Sequence, residues 1–249
     1  MWRTQTMRAA RSEMLRAHTG FLGEGQGVPV LRDVPRIERA LRTIEPPDFE
    51  DEPAPIIFYA GERIYFRPIE LSDEPLLRRW INDPRVWATL HFRGPLNTAC
   101  EVAYIESLYR QPNDYTFGIV ERETGQLVGT CGLHQVDPIA RKATFGLMIG
   151  DVGRQNRGLG AEAVRLALKF AFRELNLHRV ELSVFANNWR AIRAYQKAGY
   201  RHEGCRRQAV FRNGEYVDVY EFGILREEWD VLPTTSSTRF GRNLTVGAA

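Results

Sequence analysis

The sequence predicts an α/β chain of the α+β kind, with strands pairing as antiparallel hairpins between amphipathic helices. Three observations carry that expectation. Residues 115–122 and 126–134 are strand-like runs separated only by a tight turn at 123–125. Residues 200–210 and 216–225 face each other across Asn213-Gly214, the pair favoured in two-residue hairpin turns. Between these hairpins a glycine-rich stretch opens a helix through about Leu175, in which Val164, Leu168, Ala171 and Leu175 share one face.

The remaining elements follow in chain order. Residues 1–17 fit a short basic helix carrying Arg3, Arg8, Arg11 and Arg16, residues 20–27 a glycine-rich loop, and residues 34–44 a second helix. The acidic, proline-rich "EPPDFEDEPAP" reads as a linker, so residues 1–55 form an extension, 56–230 a domain and 231–249 a polar tail. Two short strands flank Gly61. A helix over 73–81 has Ser72 as its expected cap. Another through Tyr109 has Thr98 as cap, with Glu101 at capping-box spacing. Residues 142–150 form a strand with Phe145, Leu147 and Ile149 on one face, and 179–186 form an alternating strand. Asn187 or Asn188 caps a helix over 189–198 that ends at Gly199.

Composition bounds the function classes. Hydrophobic residues at 43% and charged residues at 26% describe a soluble globular chain. A net charge of +3, with no long Lys/Arg run, neither requires nor excludes an anionic partner, and no aromatic-basic motif points to nucleic acid. The spacing of Cys100, Cys131 and Cys205 fits neither a metal knuckle nor a disulfide framework, so they read as reduced thiols of a cytoplasmic protein, with no metal. No apolar run reaches membrane-spanning length.

The stretch "GRQNRGLGAEAVRLALKFAF" raises the functional question. A helix start leaves backbone N–H groups unpaired and electropositive, and Gly158 and Gly160 carry no side chain to hold an anion away. Arg154 and Arg157 can add charge, which makes a phosphate cradle in physical terms. The same glycines could instead only turn a tight corner. No Gly-Lys-Ser/Thr follows, so this is not a P-loop, and the upstream hairpin argues against a dinucleotide-binding α/β unit.

This stretch and the block that follows it resemble the GNAT superfamily of N-acetyltransferases. The likeness is greatest to the branch that contains ribosomal-protein alanine, spermidine and some aminoglycoside acetyltransferases. Gln155-Asn156-Arg157-Gly158-Leu159-Gly160 has the form of the superfamily's diphosphate loop. "HRVELSVFANNWRAIRAYQKAGYRHEG" is similar to its next strand and helix, with Asn188-Trp189-Arg190-Ala191, Tyr195 and Gly199-Tyr200 at motif positions. The likeness covers about residues 62–229. It implies the acyl-CoA N-acyltransferase fold, a mixed, mostly antiparallel sheet with helices on both faces. It also implies transfer of an acetyl group from acetyl-CoA, as co-substrate, to a primary amine. The strands at 142–150 and 179–186 should splay, with the CoA arm between them against Leu147, Met148 and Ile149, and with Asn188 beside it. The diphosphate should lie on the N–H groups from Gln155 to Gly160.

In that chemistry a neutral amine attacks the thioester. Tyr195 matches the family's general acid, and a phenol, with its reference pKa of about 10, is protonated at neutral pH. The oxyanion donor would be a backbone N–H near Met148 or Ile149. The general base is open: where many relatives carry Glu, this chain has Ala143-Thr144-Phe145-Gly146. His134, with a suitable reference pKa, is the named candidate, and Glu181, Asp218, Glu221 or solvent are alternatives. Cys131 reads as core, not as a nucleophile. The acceptor groove would be framed by residues 80–93, with Trp80, Trp87, His91 and Phe92, and by 206–215, with Arg206, Arg207 and Arg212. Neither segment is acidic, which disfavours a polyamine and leaves a protein N-terminus, an amino acid or another small amine. The extension could lid that groove, form a homodimer contact or tether a partner. The alternative reading of the whole chain is a non-catalytic acyl-CoA-binding or regulatory module.

Overall fold

The computed structural model describes residues 54–92, 94–110 and 112–232. The expected helices at 1–17 and 34–44, most of the linker and the tail from Pro233 lie outside the described residues.

Eight strands make one sheet. They are β1 (Tyr59–Ala60), β2 (Ile64–Arg67), β3 (Tyr115–Glu121), β4 (Leu127–Asp137), β5 (Lys142–Ile149), β6 (Arg179–Phe185), β7 (Arg201–Arg212) and β8 (Glu215–Leu225). Their order is β1-β2-β3-β4-β5-β6-β8-β7. Every pairing is antiparallel except β5 with β6. The helices are α1 (Glu74–Ile81), α2 (Pro84–Trp87), α3 (Thr98–Ser107), α4 (Leu159–Arg173), α5 (Trp189–Lys197) and α6 (Arg226–Asp230). This is the expected mixed, mostly antiparallel sheet flanked by helices.

The strand period of two divides the core between the two faces. In β2, Ile64 and Phe66 join the layer that α4 and α5 complete with Leu168, Phe172 and Tyr195. Tyr65, between them, joins the opposite layer with Leu77, Trp80 and Ile81 of α1 and Tyr104 and Ile105 of α3. Each fully buried side chain of this size contributes roughly 1.5–3 kcal/mol relative to exposure.

Several local expectations change. Ser72 is not the cap of α1: Asp73 takes that position after a 3-10 turn over Leu71–Asp73. The Asp73 carboxylate accepts two bonds from Arg67, at 2.7 and 2.8 Å, so it is committed to tertiary contact. Thr98 is already helical; Asn97 caps α3 by accepting from the Cys100 N–H at 2.9 Å, and Glu101 is buried. The short α2 had an Asp-Pro start signal, with the Asp83 carboxylate accepting from the Arg85 N–H. Asn188, rather than Asn187, caps α5.

One pairing defines the molecule's shape. β5 and β6 run side by side only at Lys142↔Arg179, Ala143↔Val180 and Thr144↔Glu181. Beyond those pairs β5 stays registered with β4 to Ile149↔Gly129, and β6 stays registered with β8 to Phe185↔Val219. The two strands therefore open like a V, and their facing backbone edges lose their strand partner.

Candidate active site at the β5–β6 opening

The V is the floor of a cleft of about 120 Å³. Its lining includes Phe145, Gly146, Leu147 and Met148 of β5, Ser183, Val184 and Phe185 of β6, and Asn188 and Tyr195 of α5. The roof is the segment 89–92, and Thr130 of β4 and Thr144 of β5 reach it from the sheet. A broader depression on the outer face of α1 and α2, lined by Arg78, Arg79, Asn82 and Arg85, contains none of this opened edge.

Tyr195 comes to the cleft from α5. It is nearly buried, packs edge-on to Tyr200 at 5.8 Å and to Phe145 at 6.4 Å, and burial pushes its phenol well up from its ordinary value. Its side chain lines the cleft, and the buried hydroxyl beside it without a hydrogen-bond partner among the described residues is that of Tyr200. Asn188 performs its cap, accepting from the Ala191 N–H at 3.3 Å, and also lines the cleft.

The glycine loop lies beside the β5 end of the V. Asp151 caps a 3-10 turn over Val152–Arg154. Gly158 opens α4 with φ of +84°, a left-handed conformation that glycine adopts without strain. The first N–H groups of α4 then have no preceding helical carbonyl. Glu162 in the first turn is buried and accepts from the N–H groups of Arg63 and Ile64 at 2.8 and 3.3 Å, which pins the helix start to β2. Gln155 donates from Nε2 to the Ile149 carbonyl at 3.0 Å and accepts from Arg190 at 3.1 Å. Arg157 and Gly158 are exposed, and the Arg157 carbonyl accepts from Arg63 at 2.8 Å. An opened strand edge beside a helix start rimmed by Arg63, Arg157 and Arg190 supplies the donors that an amide-bearing, phosphate-bearing arm needs.

Three expected contributors are constrained by the fold. Arg154 is turned away: its guanidinium pairs with the buried Glu121, lies 3.8 Å from Asp151 and donates to Gln126 at 3.2 Å. The low-dielectric position of Glu121 holds it there. Leu159 is buried core, so only its backbone faces the loop. Ile149 is outside the cleft lining and its carbonyl already serves Gln155, which leaves Leu147 and Met148 as the open edge.

The base candidates separate clearly. The structure does not bring His134 to the cleft: the ring is buried, crowds Gly132 and lies 3.6 Å from Asp114. Burial lowers its pKa, only partly offset by Asp114. Glu181 is held by Arg179 at 3.0 Å and Lys142 at 3.6 Å, and Asp218 accepts from the Gln208 N–H at 2.7 Å. Cys131 is core, and burial pushes its thiol well up, away from thiolate. Glu221 alone of the candidates accepts from a side chain of the cleft lining, Ser183, at 2.9 Å.

On the roof, His91 packs edge-on to Phe185 at 4.4 Å. Burial, with Arg206 and Arg212 adding to it, pushes its pKa down to about 3, so it stays neutral at physiological pH. Arg212 is buried, donates to the carbonyls of Leu90 and Phe92, and lies over the rings of Phe185 and Trp87 at 5.4 and 5.8 Å. Sequence reasoning missed Arg63, Arg190, Thr130 and Ser183. Only Arg190, inside the Asn188 motif, carried a local signal.

No helix among the described residues is long and apolar enough to cross a membrane. The acetyltransferase (GNAT) domain family matches residues 63–201, more than half of the chain. Probable N-acetyltransferase YjcK of Bacillus subtilis (strain 168) is 36% identical over 176 residues, spanning 68% of this chain and 97% of its own. Spermidine N(1)-acetyltransferase of Vibrio cholerae (serotype O1, strain El Tor Inaba N16961) is 26% identical over 169 residues, spanning 68% and 96%. A Vibrio cholerae spermidine N-acetyltransferase solved with CoA and spermine shares the fold, with a TM-score of 0.63 at 24% identity, over 68% of this chain and 99% of that one.

Proposed function

The chain belongs to the GNAT acetyltransferase family and is an N-acetyltransferase, and on that premise we propose that acetyl-CoA occupies the β5–β6 cleft and a primary amine meets it under the 89–92 roof. The observation that carries this reading is the three-pair β5–β6 ladder, which opens a strand edge beside the start of α4 and puts Tyr195 in the same cleft.

Leu147 and Met148 would hold the CoA arm by their backbone, with Asn188 opposite. Gln155, Asn156, Arg157, Gly158 and the N–H groups of Leu159 and Gly160 would hold the diphosphate. A backbone N–H near Met148 would face the thioester oxygen as charge develops. Tyr195 would give its proton to the departing sulfur. When bound, acetyl-CoA supplies the activated acyl group; the protein supplies juxtaposition, a dry wall and a proton.

The acceptor class is a protein N-terminus, an amino acid or another small amine. On the acceptor side Glu181 and Glu221 both pair with cations, so no net acidic wall favours a polyamine. On this reading residues 56–230 would form the catalytic domain of a cytoplasmic enzyme able to form a homodimer, with 1–55 and 231–249 as appendages.

The test is acetyl-CoA-dependent thiol release against peptides, amino acids, polyamines and aminoglycosides, with CoA binding measured on the same sample. We expect CoA binding and release tied to one monoamine class. Absence of CoA binding would overturn the assignment of the cleft.

A further inference from the structure

The β5 strand carries no carboxylate, and the ammonium must still lose a proton before it can attack. We propose that Ser183 and Glu221 form the path by which that proton leaves. The proposal rests on the reading that the amine meets the thioester in the β5–β6 cleft.

Geometry singles out this pair. Ser183 lies on the part of β6 beyond its pairing with β5 and lines the cleft opposite the open edge of β5. Its Oγ donates to Glu221 Oε2 at 2.9 Å, because Ser183 and Glu221 are directly opposed in the β6–β8 ladder and so point to one face. The other carboxylate oxygen is taken by Arg206 of β7, in an ion contact of 2.5 Å not aligned as a hydrogen bond. The carboxylate is therefore oriented, with one oxygen held by the cation and one by the hydroxyl. Glu221 is half-buried, so its acid form can return the proton to solvent. The other titratable groups nearby are Tyr195 of α5, the neutral His91 of the roof, Arg212 beneath it, and Glu181 with its partners Lys142 and Arg179.

The steps balance. The ammonium gives a proton to Ser183 Oγ as the serine proton passes to Glu221 Oε2. The neutral amine forms the C–N bond at the acetyl carbon, the C–S bond breaks, and Tyr195 protonates the sulfur. The proton shed by nitrogen on becoming an amide restores the phenol, and Glu221 releases its proton to water. The sum is ammonium plus thioester giving amide, thiol and one free proton.

The readout is kcat/KM against pH for Ser183→Ala, Ser183→Thr and Glu221→Gln, with acetyl-CoA and the amine identified in the panel. A proton path matters only while the acceptor is protonated. For an α-amine of reference pKa about 8, about a tenth is neutral at pH 7, so we expect a loss of about tenfold there in Ser183→Ala and Glu221→Gln. The loss should shrink towards unity above pH 9, and Ser183→Thr should recover most of the rate. CoA affinity, unchanged in all three, verifies that the cleft is intact. A pH-independent loss, or none, would overturn the proton path while leaving the acetyltransferase cleft standing. A wild-type protein with no amine-dependent thiol release would overturn both.

Discussion

At Tyr195, burial keeps the phenol protonated across the range in which an amine acceptor is tested. Tyr195→Phe removes one oxygen and leaves the packing against Phe145 and Tyr200. We expect kcat to fall about 100-fold or more with acetyl-CoA affinity within about twofold, measured by turnover and calorimetry. His91 makes a different prediction. Its folded pKa is depressed to about 3, below the unfolded value near 6.5. Between those values the unfolded chain binds a proton that the folded chain refuses. Stability from a neutral His91 is therefore present above pH 6.5 and is lost as pH falls towards 3. Thermal melts from pH 7 to pH 4 should show His91→Gln losing less stability than the parent. Equal slopes would show that His91 does not contribute to the acid dependence.

Among the elements, the start of α4 and the cleft roof make separate predictions. At the helix start, Gly158→Asp adds a Cβ at φ of +84° and sets a carboxylate where phosphate is expected. CoA affinity should fall at least about tenfold; an unchanged Kd would reject the diphosphate assignment. The roof segment 89–92 has little regular structure, and Arg212 ties it to the tip of the β7–β8 hairpin through the Leu90 and Phe92 carbonyls. Arg212→Lys keeps the charge but loses the planar guanidinium, whose Nη2 serves both carbonyls while its plane lies over the rings. We expect a several-fold higher KM for the amine with CoA affinity unchanged, from initial rates at saturating acetyl-CoA. A parallel rise in CoA Kd would instead mean that Arg212 supports the whole cleft.

The whole molecule depends on the sheet as one continuous frame. All eight strands and both apolar layers lie within the described residues. A chain trimmed to 54–232 is therefore expected to unfold cooperatively and to bind CoA as the full chain does. Comparing the amine KM of the two forms then reads out whether residues 1–55 cover the acceptor groove. Loss of CoA binding on trimming would show that the domain boundary at 56 is misplaced.

Much of this architecture was legible in the residues because short-range physics governs it. Asn213-Gly214 dictates a tight turn, alternation assigns strand faces, and Asn188 caps the helix that begins one residue later. Gly158 stands where the chain must turn left-handed into α4. Strand order was not local. That β8 rather than β7 lies beside β6 decides that Ser183 meets Glu221, 38 residues away. Arg154 looked like an anion ligand until the fold offered it Glu121, and His134 looked accessible until the sheet buried it beside Asp114. By itself the sequence determined most of the strands and the longer helices, and where the glycine loop opens α4. Only the tertiary structure decided how far β5 and β6 stay together and which charges neutralise one another. Those outcomes depend on contacts between residues far apart in the chain, whose distance no local pattern encodes.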